Sequence, residues 1–158
     1  MTKITPKSTG KTCSPGELMI TDAGVTHCIE VTNTSADTLY VQVYNLGPCW
    51  NITDVLHSRE TIPPKDLSIG LTGTFRKKIK TYIPDELLGQ GVTECEDVIK
   101  VFVTSQPTSL SLFEMPKLGE IGLRHRRAST AINYRGEGVA GESEGWAVLD
   151  FCIRTIKR

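Results

Sequence analysis

Alternating hydrophobic and polar positions run through most of this sequence, and residues 97–105 show the pattern most densely. Ile99, Val101 and Val103 point to one face of a predicted strand. The opposite face carries a single charge, so both faces should be largely covered, as in the central strand of a sheet. Pro107 lacks an N–H group and ends the strand soon afterwards.

The same alternation predicts strands on both sides of this stretch. They cover residues 18–20, 25–32, 39–44, 50–56, 74–83 and 146–156. The turn residues 33–37 separate the second and third of these strands, which predicts an antiparallel hairpin. Residues 84–89 combine an early proline, two acids and a final glycine, a pattern typical of one helical turn.

This order of elements contains no β–α–β alternation, so a parallel sheet is not expected. Short strands with regular turns predict an all-β fold, an antiparallel two-layer β-sandwich with one or two short helical turns. Its topology could be immunoglobulin-like or jelly-roll-like. The predicted core consists of Val41, Val43, Ile99, Val101, Val103, Leu149 and Phe151.

The chain divides into three parts by composition. Residues 1–16 are polar and contain two prolines and two glycines, which predicts a flexible N-terminal segment. Residues 17–156 are expected to form a single sandwich domain. Within them, residues 117–145 show no periodic pattern, and such a long stretch between two strands predicts a mobile loop.

Composition and charge narrow the possible partners. Among 158 residues, 18 basic side chains balance 18 acidic ones, which gives no electrostatic reason to expect nucleic acid or an anionic membrane as a partner. No run approaches the roughly 18 apolar residues of a membrane helix, and no secretory signal is evident. The five cysteines lack the close spacing of zinc or redox motifs. The sequence therefore predicts a cytoplasmic protein without metal or cofactor.

Catalytic patterns are missing as well. The three histidines are scattered, and no cysteine or serine lies in a recognised nucleophile motif, so we expect no catalytic residue and no enzyme activity. His27 falls on the apolar side of its strand and is predicted to be a hydrogen-bonded core histidine rather than a metal ligand.

Two sets of residues are candidates for binding. The first is basic and lies on one side of strand 74–83 and in the loop: Arg76, Lys78, Lys80, Arg124, Arg126 and Arg127. These side chains either protect a solvated edge strand or bind an anion or an acidic partner. The second is an aromatic platform for a sugar or a peptide, formed by Tyr40, Tyr44, Trp50 and Trp146. Two or more of these aromatic side chains on one open face would favour ligand binding.

Four segments also carry a family resemblance. They are residues 31–41, 62–64, 97–109 and 146–155. Together they resemble the non-catalytic β domain that lies downstream of caspase-like (metacaspase-type) peptidase domains in fungal proteins. More loosely, they are similar to a domain of unknown function appended to bacterial caspase-like proteins.

The resemblance spans residues 17–156 and implies an accessory domain that acts by protein–protein contact with a flanking caspase-like domain. None of the family's peptidase residues maps onto this sequence, so any peptidase activity is expected in a neighbouring domain. A carbohydrate- or peptide-binding sandwich that uses the aromatic residues remains the alternative.

Overall fold

A computed structural model describes residues 2–6, 12–70, 72–110, 114–115 and 145–158, and it contains two β-sheets. Sheet A has three strands in the order β1-β3-β7, and these are β1 (Thr2–Pro6), β3 (Thr26–Thr32) and β7 (Thr74–Lys80). Sheet B has the order β2-β9-β8-β4-β5, with β6 also paired to β4. Its strands are β2 (Leu18–Asp22), β4 (Leu39–Leu46), β5 (Ile52–Asp54), β6 (Glu60–Ile62), β8 (Glu94–Thr104) and β9 (Trp146–Ile156). A 3-10 turn spans Leu67–Ile69, and the short helix α1 spans Asp85–Leu88.

The two sheets form a sandwich around one hydrophobic core. Ile29 and Val31 of sheet A are buried in the same cluster as side chains from β4, β8 and β9 of sheet B. Five predicted core residues are buried and two, Val103 and Leu149, are partly buried against them; the five are Val41, Val43, Ile99, Val101 and Phe151. The predicted all-β sandwich and its core are confirmed.

Strand β8 is the centre of sheet B, as the sequence predicts. It pairs along its whole length with β9 and over seven positions with β4, both antiparallel. Because β8 has a neighbour on each side, its main-chain groups are used in both directions. It begins at Glu94, a few residues earlier than the hydrophobic pattern indicates.

The strand order identifies the topology of the sandwich. In chain order, the strands of sheet A correspond to strands A, B and E of an immunoglobulin-like domain, and β4, β8 and β9 correspond to C, F and G. Of the two topologies left open by the sequence, the described strands therefore follow the immunoglobulin-like one.

The predicted hairpin between β3 and β4 is wrong, because these strands belong to different sheets. The segment between them crosses from one layer to the other, and Asn33, which is only 1% exposed, stabilises the corner. Its Nδ2 donates to the carbonyl oxygens of Asp37 at 2.7 Å and Ile62 at 3.0 Å. Turn residues alone do not distinguish such a crossing from a hairpin.

Two further strand pairs differ from the sequence prediction. β2 runs parallel to β9, with Leu18 opposite Cys152, in a sandwich whose other pairs are antiparallel among the described strands. β1 lies in the segment expected to be flexible and pairs with β3, and Cys13 from the same segment is buried. Backbone pairing needs only an extended chain, so a polar sequence can supply an edge strand.

Candidate binding surface on the outer face of sheet B

Three adjacent strands place an aromatic cluster on the side of sheet B that faces away from sheet A. Thr104 of β8 lies between Tyr40 of β4 and Trp146 of β9 in one cross-strand row. In the next row on the same face, Phe102 lies between Gln42 and Val148. We call Tyr40, Phe102, Trp146 and Val148 the aromatic face. Trp146 is 72% exposed, and the other three are half-buried.

A groove crosses the aromatic face. Its larger part has a volume of about 540 Å³ and is lined by Tyr44, Leu46, Ile52, Lys100, Phe102, Trp146, Val148 and Asp150. A smaller part of about 240 Å³ shares Phe102 and Trp146 with it and extends toward Leu110. Volumes in this range suit small ligands or a few side chains of a partner.

Tyr44 forms part of the groove floor. It is 1% exposed, and its ring packs edge-on against Phe102 with centroids 5.8 Å apart and an interplanar angle of 87°. Burial raises the pKa of the Tyr44 hydroxyl, and the charges of Asp54 and Glu114 raise it further. Tyr44 therefore packs against Phe102 and does not present an open stacking surface, contrary to its predicted role as a platform residue.

The charges within the groove are paired with each other. Lys100 Nζ donates to both carboxylate oxygens of Asp150 at 2.7 Å, across neighbouring positions of β8 and β9. Further along the same face, Arg154 Nε donates to Glu96 Oε1 at 2.8 Å. Because each of these four charges has a counter-charge, they add little net charge to the face.

The other aromatic candidates divide between two places. Tyr40 belongs to the aromatic face, and the guanidinium carbon of Arg59 lies 5.8 Å from the centroid of its ring, within range of a cation–π contact. Trp50 is 75% exposed but lies in the turn between β4 and β5, with a φ angle of 61°, and does not line the groove. Of the four predicted residues, the structure brings Tyr40, Tyr44 and Trp146 to one face and leaves Trp50 elsewhere.

The basic candidates on β7 lie on the exposed side of sheet A. Arg76 Nε donates to Glu30 Oε2 at 2.7 Å, so one of the three charges is compensated. Lys78 is exposed, and the ammonium of Lys80 lies 5.2 Å from the ring centroid of Tyr82. The other basic candidates, Arg124, Arg126 and Arg127, and the predicted mobile loop up to residue 144 lie outside the described residues.

His27 is a core histidine. It is fully buried, and its Nε2 lies 3.3 Å from Thr81 Oγ1. Burial lowers the pKa of its imidazole.

The buried Cys95 thiol has a pKa raised to about 11, by burial first and then by Asp97 and Cys49, so it is protonated near neutral pH. Within the described ranges, no three His, Cys, Asp or Glu residues are grouped to hold a metal ion.

The described part of the chain has no helix with the length and apolar character that crossing a membrane requires. Compared with known proteins, the chain matches no family model, no curated protein and no solved structure at a significant level.

Sequence reasoning did not select Phe102, Val148 or the Lys100–Asp150 pair as site residues. A partial signal was present, because Phe102 on β8 and Trp146 and Val148 on β9 are large apolar residues at outward positions of their strands. Finding the pair required the strand register, which the alternation pattern does not supply.

Proposed function

We propose that this chain is a non-catalytic contact domain that binds an apolar segment of a partner protein in the groove of the aromatic face. The observation that carries the proposal is the groove itself, in which two neighbouring cavities on one face share Phe102 and Trp146 as lining residues. Exposed aromatic side chains in a concave apolar site are the usual anchors of protein contacts.

The pairing of Lys100 with Asp150 indicates the chemistry of the partner. An ion pair that is already satisfied offers little to an incoming charge, and an unpaired charge placed beside it would lose hydration without compensation. The partner segment should therefore present aliphatic or aromatic side chains and no charge at the centre of the contact. Following the resemblance described above, the partner is a flanking caspase-like domain.

Carbohydrate binding is the second candidate, and the exposed ring of Trp146 close to Phe102 and Tyr40 favours it. A sugar needs free polar groups beside the ring to bond its hydroxyls. Within the described part of the groove, the two charged side chains are bonded to each other, which favours an apolar protein segment over a sugar.

The proposal includes a cytoplasmic location. It is supported by the five cysteines, which are all free thiols, as is usual in a reducing compartment.

The test is the affinity of the chain for a flanking caspase-like domain, measured by calorimetry. Trp146→Ala should weaken binding about tenfold or more, as expected for a central aromatic anchor. Trp50→Ala is a matched control, because Trp50 is equally exposed and lies outside the groove. Equal affinities of the two variants would contradict the proposed surface.

Two further measurements separate the alternatives. Charge reversal of Arg76, Lys78 and Lys80 should leave affinity nearly unchanged, and added salt should weaken binding little, because exposed charges contribute little to this contact. Strong salt dependence together with sensitivity to the reversal would favour the basic strand instead. Binding of neutral oligosaccharides that is abolished by Trp146→Ala would favour the carbohydrate alternative.

A further inference from the structure

A second cavity lies between the two sheets, away from the aromatic face. This interlayer cleft has a volume of about 370 Å³ and is open between β7, the edge strand of sheet A, and the β4–β5 side of sheet B. Its lining includes Asn45, Asn51, Thr53, Lys77, Tyr82 and Asp97. It shares no lining residue with the groove of the aromatic face.

Three of these polar side chains lie on strand faces that point into the sandwich, at positions where alternating strands normally carry hydrophobic residues. Each pairs in register with a buried isoleucine of the neighbouring strand. The pairs are Asn45 with Ile99, Asp97 with Ile153 and Lys77 with Ile29. They come from three strands in two sheets, and all three line one cleft.

The charged side chains at these positions are poorly compensated. Asp97 is 7% exposed. Its carboxylate accepts one described side-chain hydrogen bond, and the donor is a neutral amide, Nδ2 of Asn45, at 3.0 Å. Among the described residues no cation lies within ion-pair distance of Asp97, and no acid lies within that distance of Lys77. Polar groups that break the core pattern without compensation concentrate at functional sites.

The unused hydrogen-bonding capacity indicates what the cleft would bind. Asn45 Oδ1 is buried without a hydrogen-bond partner in the described part of the chain, and the Asp97 carboxyl lies beside it. The deep end therefore offers acceptors and requires a ligand with donors. Lys77 is half-buried on the opposite wall and, with Lys78 and Lys80 along the same edge strand, offers positive charge.

We propose that the interlayer cleft binds a small bipolar molecule, with its amine end against Asp97 and Asn45 and its carboxylate or phosphate end against Lys77. An ammonium group at the deep end supplies Asp97 with its missing counter-charge and gives Asn45 Oδ1 a donor. An anion at the deep end would be repelled by the Asp97 carboxylate, which fixes the orientation of the ligand.

The experiment is an NMR titration of the full chain with bipolar probes of graded length. The carboxylates are β-alanine, 4-aminobutanoate, 5-aminopentanoate and 6-aminohexanoate, and phosphoethanolamine provides the phosphate arm. Butylamine and butanoate serve as probes with only one of the two ends. We expect at least one bipolar probe to shift the side-chain amide signals of Asn45 and to bind more tightly than either single-ended probe.

Three variants test the two contacts. Asp97→Asn and Lys77→Gln should each weaken the best probe about tenfold, since each removes one charge-assisted contact. Lys65→Gln, an exposed lysine that does not line the cleft, should have no effect.

Several results would overturn the proposal. They are the failure of every bipolar probe to shift Asn45, equal binding of a single-ended probe, and unchanged affinity in both cleft variants. Circular dichroism of each variant establishes that it is folded, and Lys77→Gln tests the site independently if Asp97→Asn alters the core. Trp146→Ala should bind the probes normally, so this site and the aromatic face succeed or fail separately.

Discussion

Asn45 and Asp97 are hydrogen-bonded to each other in the interior layer of the sandwich, Asn45 Nδ2 donating to Asp97 Oδ1 at 3.0 Å. This bond only partly compensates the carboxylate for its loss of water. Burial raises the pKa of Asp97, and the hydrogen bond from Asn45 opposes that shift with a smaller effect. The folded protein therefore holds the Asp97 proton to higher pH than the unfolded chain does.

Asp97→Asn should stabilise the fold at neutral pH by about 1–3 kcal/mol, the usual cost of burying a poorly compensated polar group. The gain should be small near pH 4, where the unfolded Asp titrates at about 3.9. It should grow as pH rises toward the higher folded pKa, because in this range the unfolded chain has released the Asp97 proton while the folded protein still holds it. Above the folded pKa the gain should level off. Urea unfolding of both proteins at several pH values measures this difference.

His27 also makes stability depend on pH, but in the opposite direction to Asp97, because burial lowers the pKa of its imidazole. The unfolded chain takes up the histidine proton first, so both proteins should lose stability as pH falls below about 6.5. Only the difference between the two proteins reports on Asp97. A difference that is constant from pH 4 to 8 would contradict the raised pKa.

Asn33→Ala should destabilise the domain by about 1–3 kcal/mol, because it leaves the buried Ile62 carbonyl without the Asn33 donor. The Asp37 carbonyl loses one donor but still accepts from the Ser35 hydroxyl. The amide also accepts from the Ser35 backbone N–H at 2.9 Å, so the local turn loses its bond as well. Thermal unfolding measures the effect, and Thr34→Ala is the control, because Thr34 is an exposed neighbour. Similar stability of both variants would exclude Asn33 as the stabiliser of the corner.

Val101→Asp should unfold the domain, because Val101 is fully buried and an unpaired interior charge costs several kcal/mol, on the order of total stability. Val98→Asp lies on the outer side of the same strand, where the carboxylate reaches water, and should remain folded. Cooperative melting, followed by circular dichroism, distinguishes the two. A folded Val101→Asp protein would refute the described core.

The Lys100–Asp150 pair should show a measurable but modest coupling. Their side chains are 30% and 46% exposed, so solvent screening limits the coupling energy to about 0.5–1 kcal/mol. A double-mutant cycle with Lys100→Gln and Asp150→Asn measures it, and added salt should reduce it. No coupling at low salt would show that the contact between Lys100 and Asp150 does not stabilise the fold.

The sequence predicts the strands well because their hydrophobic alternation is local information. The bounds of β9 agree with the pattern, and α1 falls within the predicted turn. The sheet to which a strand belongs depends on contacts far along the chain. That is why β3 and β4 were expected to pair although they lie in opposite layers, and why the parallel partner of β2 was not anticipated.

The residues that form the aromatic face could likewise not be identified from local alternation alone. The alternation around Phe102 gives its face but not its neighbours. The register adds Val148 directly opposite Phe102, and Trp146 and Tyr44 at diagonal positions on the same face. The interlayer cleft could be anticipated only in part. Lys77 interrupts an apolar row that is visible in the sequence, but its convergence with Asp97 and Asn45 arises from the packing of two sheets.

The parallel pair of β2 and β9 affects the order in which the chain can fold. Leu18 and Cys152 are partners although nearly the whole domain separates them in sequence. The loss of chain entropy on bringing such distant segments together precedes the gain from pairing, and sheets rich in distant contacts form slowly. During synthesis, β2 and one edge of β8 cannot pair before β9 has been made. Until β9 emerges, both expose unpaired edges to association with other chains.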